Sequence, residues 1–174
     1  MRYLRFWLCF GPVLILDQAT KAWVVKNSAE LRRNPIEVLD LIDGNRGFLE
    51  FTYVTNPGAA WSMFSDFPEV LTILAVIALV AIFLFRKNLE MDKLSIQVVF
   101  GLICGGILGN LCDRLFREPA EVVDFIDVYL PVVNYDYPVF NIADSGIFLG
   151  AFAYLIMSFL DVRKEQREES EKES

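Results

Sequence analysis

Eighteen residues from Leu94 to Leu111, and sixteen from Val70 to Phe85, pass without a charge. At about 1.5 Å per residue the longer run reaches most of the way across a roughly 30 Å hydrocarbon layer. A backbone placed there must hydrogen-bond to itself, as a helix does. The rest of the chain agrees: 55% of its 174 residues are hydrophobic, aromatics reach 14% and the mean hydropathy is +0.40, too apolar for most soluble domains of this length. The expected fold is an α-helical membrane protein, one integral membrane domain over residues 1–160 followed by a charged cytoplasmic tail at 161–174.

Four transmembrane helices are expected, at about residues 4–24, 69–86, 94–113 and 138–160. The first opens with Arg2 and Arg5 before an apolar run, as a signal peptide does. No small-residue cleavage site follows, and Asp17 and Lys21 interrupt the run, so it reads as a retained span. Phe6-Trp7-Leu8 ahead of Cys9 is too bulky for a lipid-attachment box. Cys9, Cys104 and Cys112 fall inside apolar segments of a chain without histidine, and read as packing residues rather than a disulfide or zinc set. Gly101, Gly105 and Gly109 recur every fourth residue in the third span, where they let another helix approach closely.

The loops between spans cover about 27–68 and 116–137. Turn signals at Asn34-Pro35, Asp43-Gly44 and Asn56-Pro57-Gly58 surround a strand-like run, Phe48–Val54, in which Leu49, Phe51 and Tyr53 alternate with Glu50 and Thr52. A small extracytoplasmic β-sheet lying on the membrane surface is expected there, with Trp61 and Phe64 as anchors at the headgroups. Asp66, ahead of Pro68 and Glu69, reads as a helix start. The net charge of -7 argues against nucleic-acid binding; part of it lies in the tail, a low-complexity run that reads as solvated or as a frayed helical end.

With four crossings, the end of the first span, the start of the second, the end of the third and the start of the fourth share one side of the membrane. Asp17 with Lys21, Asn56 with Gly58, Asn110 with Asp113 and Arg114, and Asn141 with Asp144 occupy those four places; Asn110 with Asp113, and Asn141 with Asp144, are spaced one turn apart as on single helix faces. Dispersed polar residues thus converge near one interface. Arg2, Arg5, Arg86, Lys87, Lys93, Arg163 and Lys164 flank the spans on the opposite side, which the positive-inside rule assigns to the cytoplasm, against a weaker spread of Lys26, Arg32, Arg33 and Arg46 in the first loop. Both termini are therefore expected inside and the polar patch outside.

Without histidine the chain has no Ser-His pair, no HExxH zinc site and no imidazole base. Carboxylates remain, and ionisable side chains at membrane segments are by default functional. Two aspartates brought together in a partly dry site cannot easily both ionise; one keeps a proton while the other takes one from water. Such a pair hydrolyses an acyl bond without a metal or a cofactor. Asp124, framed by Val122-Val123 and Phe125-Ile126, and Asp144, at the head of the fourth span, are the candidates. Asp113, with Asn110 one turn back and Arg114 following, reads as a supporting hydrogen-bonding group, and Asp17 with Lys21 as an i, i+4 ion pair. Asn56, Asn110 and Asn141 are each able to donate where a negative oxygen develops.

Two other classes use the same residue types. Asp113, Asp124, Asp127 and Asp144 are oxygen ligands suited to Mg²⁺ in a lipid-headgroup transferase, but Lys21 and Arg114 would crowd the ion. A transporter would carry its ionisable groups near midplane, and here they cluster at one end.

The set Asp17-x-x-x-Lys21, Asn56-Pro57-Gly58-Ala59-Ala60-Trp61, Gly105-Gly106-x-x-Gly109-Asn110-x-x-Asp113-Arg114, Val122-Val123-Asp124-Phe125-Ile126 and Phe140-Asn141-x-Ala143-Asp144-Ser145 resembles lipoprotein signal peptidase, the type II signal peptidase of bacteria, over about residues 4–160. The resemblance implies an inner-membrane aspartyl endopeptidase that removes the signal peptide from prolipoproteins just before a diacylglyceryl-modified cysteine. It implies that Asp124 and Asp144 form the catalytic dyad. Asp17, Lys21, Asn56, Gly58, Asn110, Asp113, Arg114 and Asn141 would then line or brace the site and contact substrate or the inhibitor globomycin. No metal or cofactor is implied, membrane lipids are the surroundings, and a monomer is expected.

Overall fold

The computed structural model describes residues 3–40, 47–59 and 63–173; the Asp43-Gly44 turn, Ala60 and Trp61 lie outside these residues. In chain order the elements are α1 (Leu4–Lys26), α2 (Ser28–Leu31), β1 (Ile36–Leu39), β2 (Leu49–Asn56), α3 (Pro68–Leu84), α4 (Leu94–Phe116), β3 (Val122–Leu130), β4 (Tyr135–Phe140) and α5 (Ile142–Glu173).

Helix α4 is the centre, and its glycines explain why. A methyl group on Gly101 would stand 2.7 Å from the Phe6 carbonyl oxygen, one on Gly105 2.9 Å from that of Phe10, and one on Gly109 2.6 Å from Asp17 Oδ2, so this stripe lies against α1. A second face carries Gly106 against Ala143 and Ile147 of α5, which answers with Gly150 beside the Val99 carbonyl oxygen. The three helices therefore meet nearly backbone to backbone, as small residues allow where no hydrophobic effect drives association. The outer faces of the bundle are apolar: Ile15 of α1, Phe83 of α3, and Phe148 and Leu155 of α5 are each more than half exposed, and α3 buries no residue. So large an apolar surface suits hydrocarbon rather than water. Helices α1, α4 and α5 are each long and apolar enough to cross a membrane, while α3 is a shorter apolar helix of 17 residues.

The sheet is antiparallel, in the order β1-β2-β3-β4. Buried Val24, Leu31, Val123 and Phe125, with Phe51, Tyr53 and Ile126 packed against them, join it to the end of α1, and Phe51 meets Phe125 edge to face at 5.9 Å. At the far end of the bundle Met91, Ile96, Val99 and Phe100 form a separate cluster.

Three readings differ from the structure. The fourth helix begins at Ile142 rather than near Pro138, because residues 135–140 pair with β3, Ile126 facing Phe140 and Val128 facing Tyr137. Hydropathy does not separate an apolar edge strand from the helix that follows it. Pro138 is tolerated because β4 is an edge strand, where a missing N–H need cost no ladder bond. Half of the sheet thus comes from residues 122–140, not from the first loop alone; the β-branched run Val122–Leu130 carries that preference. Asp66 does not cap α3: Phe67 precedes the helix without a side-chain cap bond, and Pro68 starts it. The tail continues α5 as helix to Glu173, with exposed i, i+4 pairs Lys164–Glu168 at 3.8 Å and Arg167–Glu171 at 2.9 Å.

Candidate active site

Each element brings polar residues to one end of the bundle. On α1, Asp17 and Lys21 are fully buried one turn apart, and the Lys21 ammonium lies 3.0 Å from Asp17 Oδ2 and 2.8 Å from Asp113 Oδ2 of α4. Asp113 also accepts from Arg117 Nε at 2.6 Å, the Val123 N–H at 3.2 Å and Gln18 Nε2 at 3.3 Å. Asp17 accepts from the Ala143 N–H at 2.9 Å and Gln18 Nε2 at 3.1 Å. Ions withdrawn from solvent persist only when charge and hydrogen bonds are both met. Here two carboxylates and two cations satisfy one another while tying α1, α4, β3 and α5 together. Removing Lys21 alone would leave buried Asp17 without a cationic partner and Asp113 with Arg117 alone, a loss of about 3–5 kcal/mol.

The spacing of Asn141 and Asp144 suggested two residues on one helix face. Asn141 instead precedes α5 and caps it: its Oδ1 accepts the Asp144 N–H at 2.9 Å while Asp144 Oδ2 accepts the Asn141 N–H at 3.1 Å, a reciprocal capping box. The same side chain donates from Nδ2 to Asp124 Oδ1 at 2.7 Å and to Asn110 Oδ1 at 3.1 Å. Asn110 Nδ2 donates to Asp144 Oδ1 at 2.7 Å. From β2, Asn56 Nδ2 lies 3.3 Å from Asp124 Oδ2, with its own Oδ1 held by the Gly58 N–H at 2.9 Å. Asp124 on β3 and Asp144 on α5 are thus linked through one residue, Asn141.

Asp124 is 3% exposed, between the buried Val123 and Phe125. Burial first, and then the neighbouring Asp144 charge, push its carboxyl up to about 7, against the hydrogen bonds from Asn56 and Asn141 and the Lys21 charge. A carboxyl that holds its proton near neutrality beside a second carboxylate has the make-up of an acid–base pair. Both open on a cleft of about 620 Å³ that Asn56, Gly58, Asn110 and Arg114 also line, with an apolar wall that includes Tyr137, Phe140, Ile147 and Phe148. Arg114 reaches the Gly58 carbonyl oxygen at 2.9 Å.

Six of the ten residues singled out from sequence, Asn56, Gly58, Asn110, Arg114, Asp124 and Asp144, line the cleft; Asp17, Lys21, Asp113 and Asn141 stand behind it. The sequence reading missed Gln18 and Arg117, which complete the ionic network, and the apolar wall. Gln18 was visible as a polar neighbour of Asp17 in an apolar helix, and Phe148 and Ala151 as positions four and seven beyond Asp144. Of the four aspartates weighed as metal ligands, Asp113 is already occupied by Lys21 and Arg117. Asp127 pairs across the sheet from Glu50, away from the cleft lining.

The family model described as signal peptidase (SPase) II matches residues 9–160. A lipoprotein signal peptidase of Syntrophomonas wolfei subsp. wolfei is 37% identical over 164 residues, covering 94% of this chain and 99% of that one. A bacterial membrane enzyme solved by the in meso method at 2.3 Å superposes with a TM-score of 0.76 at 34% identity, over 90% of this chain and 88% of the other. A second, solved at 1.9 Å, gives 0.65 at 33% identity over 87% and 90%. With the family model spanning most of the sequence and these relatives aligned nearly end to end, the chain belongs to the signal peptidase II family, membrane proteases that hydrolyse peptide bonds.

Proposed function

We propose that this chain is an intramembrane aspartyl endopeptidase that cleaves prolipoproteins immediately before a diacylglyceryl-modified cysteine, with Asp124 and Asp144 as the catalytic dyad. The observation that carries the proposal is the pairing of these two carboxyls through Asn141 at a cleft whose other wall is apolar. In that frame one aspartate accepts a proton from water as its oxygen bonds to the scissile carbonyl carbon, and the other donates its proton to the carbonyl oxygen. The tetrahedral intermediate then collapses: the carbon–nitrogen bond breaks, the leaving amine takes the proton drawn from water, and the acid recovers its own. Asn56, Asn110 and Arg114 supply donors along the cleft, and Lys21, Asp17, Asp113 and Asn141 hold the dyad in place.

The same proposal includes four crossings, with α3 counted as a span because 17 residues fall at the short end of the usual range of about 17–25. Both termini are cytoplasmic, the sheet lies at the outer face of the inner membrane, and the enzyme acts as a monomer inhibited by globomycin. Support comes from basic residues at one end of the bundle and the polar cluster at the other. Incubating the purified protein with a diacylglyceryl-modified prolipoprotein should release the shorter mature form; absence of cleavage with that substrate would refute the proposal. A reporter fused after Asn134 should read as extracytoplasmic, and a cytoplasmic signal there would overturn the topology.

A further inference from the structure

We infer that Lys21 is a positioning residue for the dyad: by holding the Asn110 carbonyl oxygen it turns the Asn110 amide onto Asp144, which makes Asp144 the carboxylate that receives the proton from water and leaves the donated proton on Asp124. The assignment holds only if Asp124 and Asp144 are the dyad proposed above.

The geometry is directional. Lys21 Nζ donates to Asn110 Oδ1 at 2.8 Å, and an ammonium group has donors and no acceptor. Only the carbonyl end of the Asn110 side chain fits against it. A second donor, Asn141 Nδ2 at 3.1 Å, meets the same oxygen. The NH₂ end is thereby forced the other way, onto Asp144 Oδ1 at 2.7 Å. Asp144 Oδ2 meanwhile accepts the Asn141 N–H at 3.1 Å at the N-terminus of α5, where the unpaired amides of the first turn favour negative charge. Asp144 thus has a side-chain donor on one oxygen, a backbone donor on the other and a helix end behind it, the setting of a proton acceptor.

Asp124 also has a donor on each oxygen, Asn141 Nδ2 on Oδ1 at 2.7 Å and Asn56 Nδ2 on Oδ2 at 3.3 Å, but it lies on a strand with no helix end behind it, flanked by buried Val123 and Phe125 and nearly excluded from solvent. Facing the pair are Lys21 from α1, Asp113 and Arg114 from α4, and the two aspartates themselves; the sheet contributes the neutral Asn56. Lys21 itself cannot wander, because Asp17 and Asp113 hold it at 3.0 and 2.8 Å. The sequential order is then fixed. Water loses its proton to Asp144 as its oxygen bonds to carbon, Asp124 protonates the carbonyl oxygen, and on collapse Asp144 passes its proton to the leaving nitrogen while a hydroxyl of the intermediate returns one to Asp124.

The test is carboxyl ¹³C NMR on the full chain labelled at aspartate, with Asp124→Asn and Asp144→Asn identifying the two resonances by their disappearance. At pH 6 the Asp124 signal should lie at the protonated position; a carboxylate signal from Asp124 at that pH would overturn the assignment. Lys21→Met should lower kcat about 10- to 100-fold with little change in KM, as loss of an orienting partner does. It should also move the alkaline limb of kcat to higher pH, since the ammonium favours ionised Asp124. The companion Lys21→Met/Asp17→Asn, which removes one charge of each sign, gives the same readouts should the single variant fail to fold. A variant that melts like wild type and keeps both kcat and the alkaline limb would overturn the role of Lys21. Near wild-type cleavage by Asp124→Asn or Asp144→Asn is a different result, one that removes the dyad itself.

Discussion

Gly109→Ala probes how tightly the bundle and the site are coupled. The added methyl would stand 2.6 Å from Asp17 Oδ2 and 3.1 Å from Ala143 Cβ, well inside van der Waals contact with α1 and α5 at once. Asp17 has little freedom to retreat: its Oδ2 is held by Lys21 at 3.0 Å and its Oδ1 by the Ala143 N–H at 2.9 Å. The helices must therefore part. Overpacking of this kind costs about 1–3 kcal/mol, which in a chain of this size lowers the melting temperature by roughly 2–12 °C at ~2–4 °C per kcal/mol. Displacing Asp17 also displaces Lys21 and, through it, Asn110. A misplacement on the order of 1 Å costs roughly 100-fold in rate, so kcat should fall by about 10- to 100-fold. The control is Gly11→Ala, whose methyl meets nothing within 4 Å and should leave both quantities unchanged. Melting of the detergent-solubilised protein and turnover of modified prolipoprotein measure the two effects. If Gly109→Ala melts and cleaves as Gly11→Ala does, the proposed close coupling between helix packing and site geometry is wrong.

Three further predictions follow from the site. Asp124→Asn and Asp144→Asn should each abolish turnover by several orders of magnitude, about as much as the double variant, because members of one catalytic unit are not additive; Asp113→Asn should give a graded loss of about 10- to 100-fold. Cleavage should survive excess EDTA, and a loss restored by Mg²⁺ or Zn²⁺ would return the metal alternative. Because burial and the Asp144 charge raise Asp124 from 3.8 to about 7, its proton is present below that pH and lost above it, so kcat/KM should fall as pH rises through about 7; a rate that keeps rising to pH 9 would contradict Asp124 as a member of a one-proton pair.

The uncharged runs Val70–Phe85 and Leu94–Leu111 determined the helices and the membrane class by themselves, because hydropathy and helical period are local properties that no later contact reverses. The meeting of the polar motifs was equally legible: helices that alternate in direction bring Asp17, Asn56, Asn110 and Asp144 to one end whatever the packing. Tertiary structure decided what those residues do there. Asn141 read as a face residue and proved to be the helix cap bridging both aspartates, since capping depends on where the preceding strand stops. That stop was hidden because Pro138-Val139-Phe140 is as apolar as the helix that follows, and only pairing with β3 makes it a strand. Arg117 meets Asp113 at an i, i+4 spacing that the sequence offered, whereas Gln18 reaches Asp113 only because α1 and α4 are in contact. That contact is set by the Gly101–Gly105–Gly109 stripe. Its spacing was plain in the sequence, whereas its partner, the backbone of α1 and the carboxylate of Asp17, was specified only by packing.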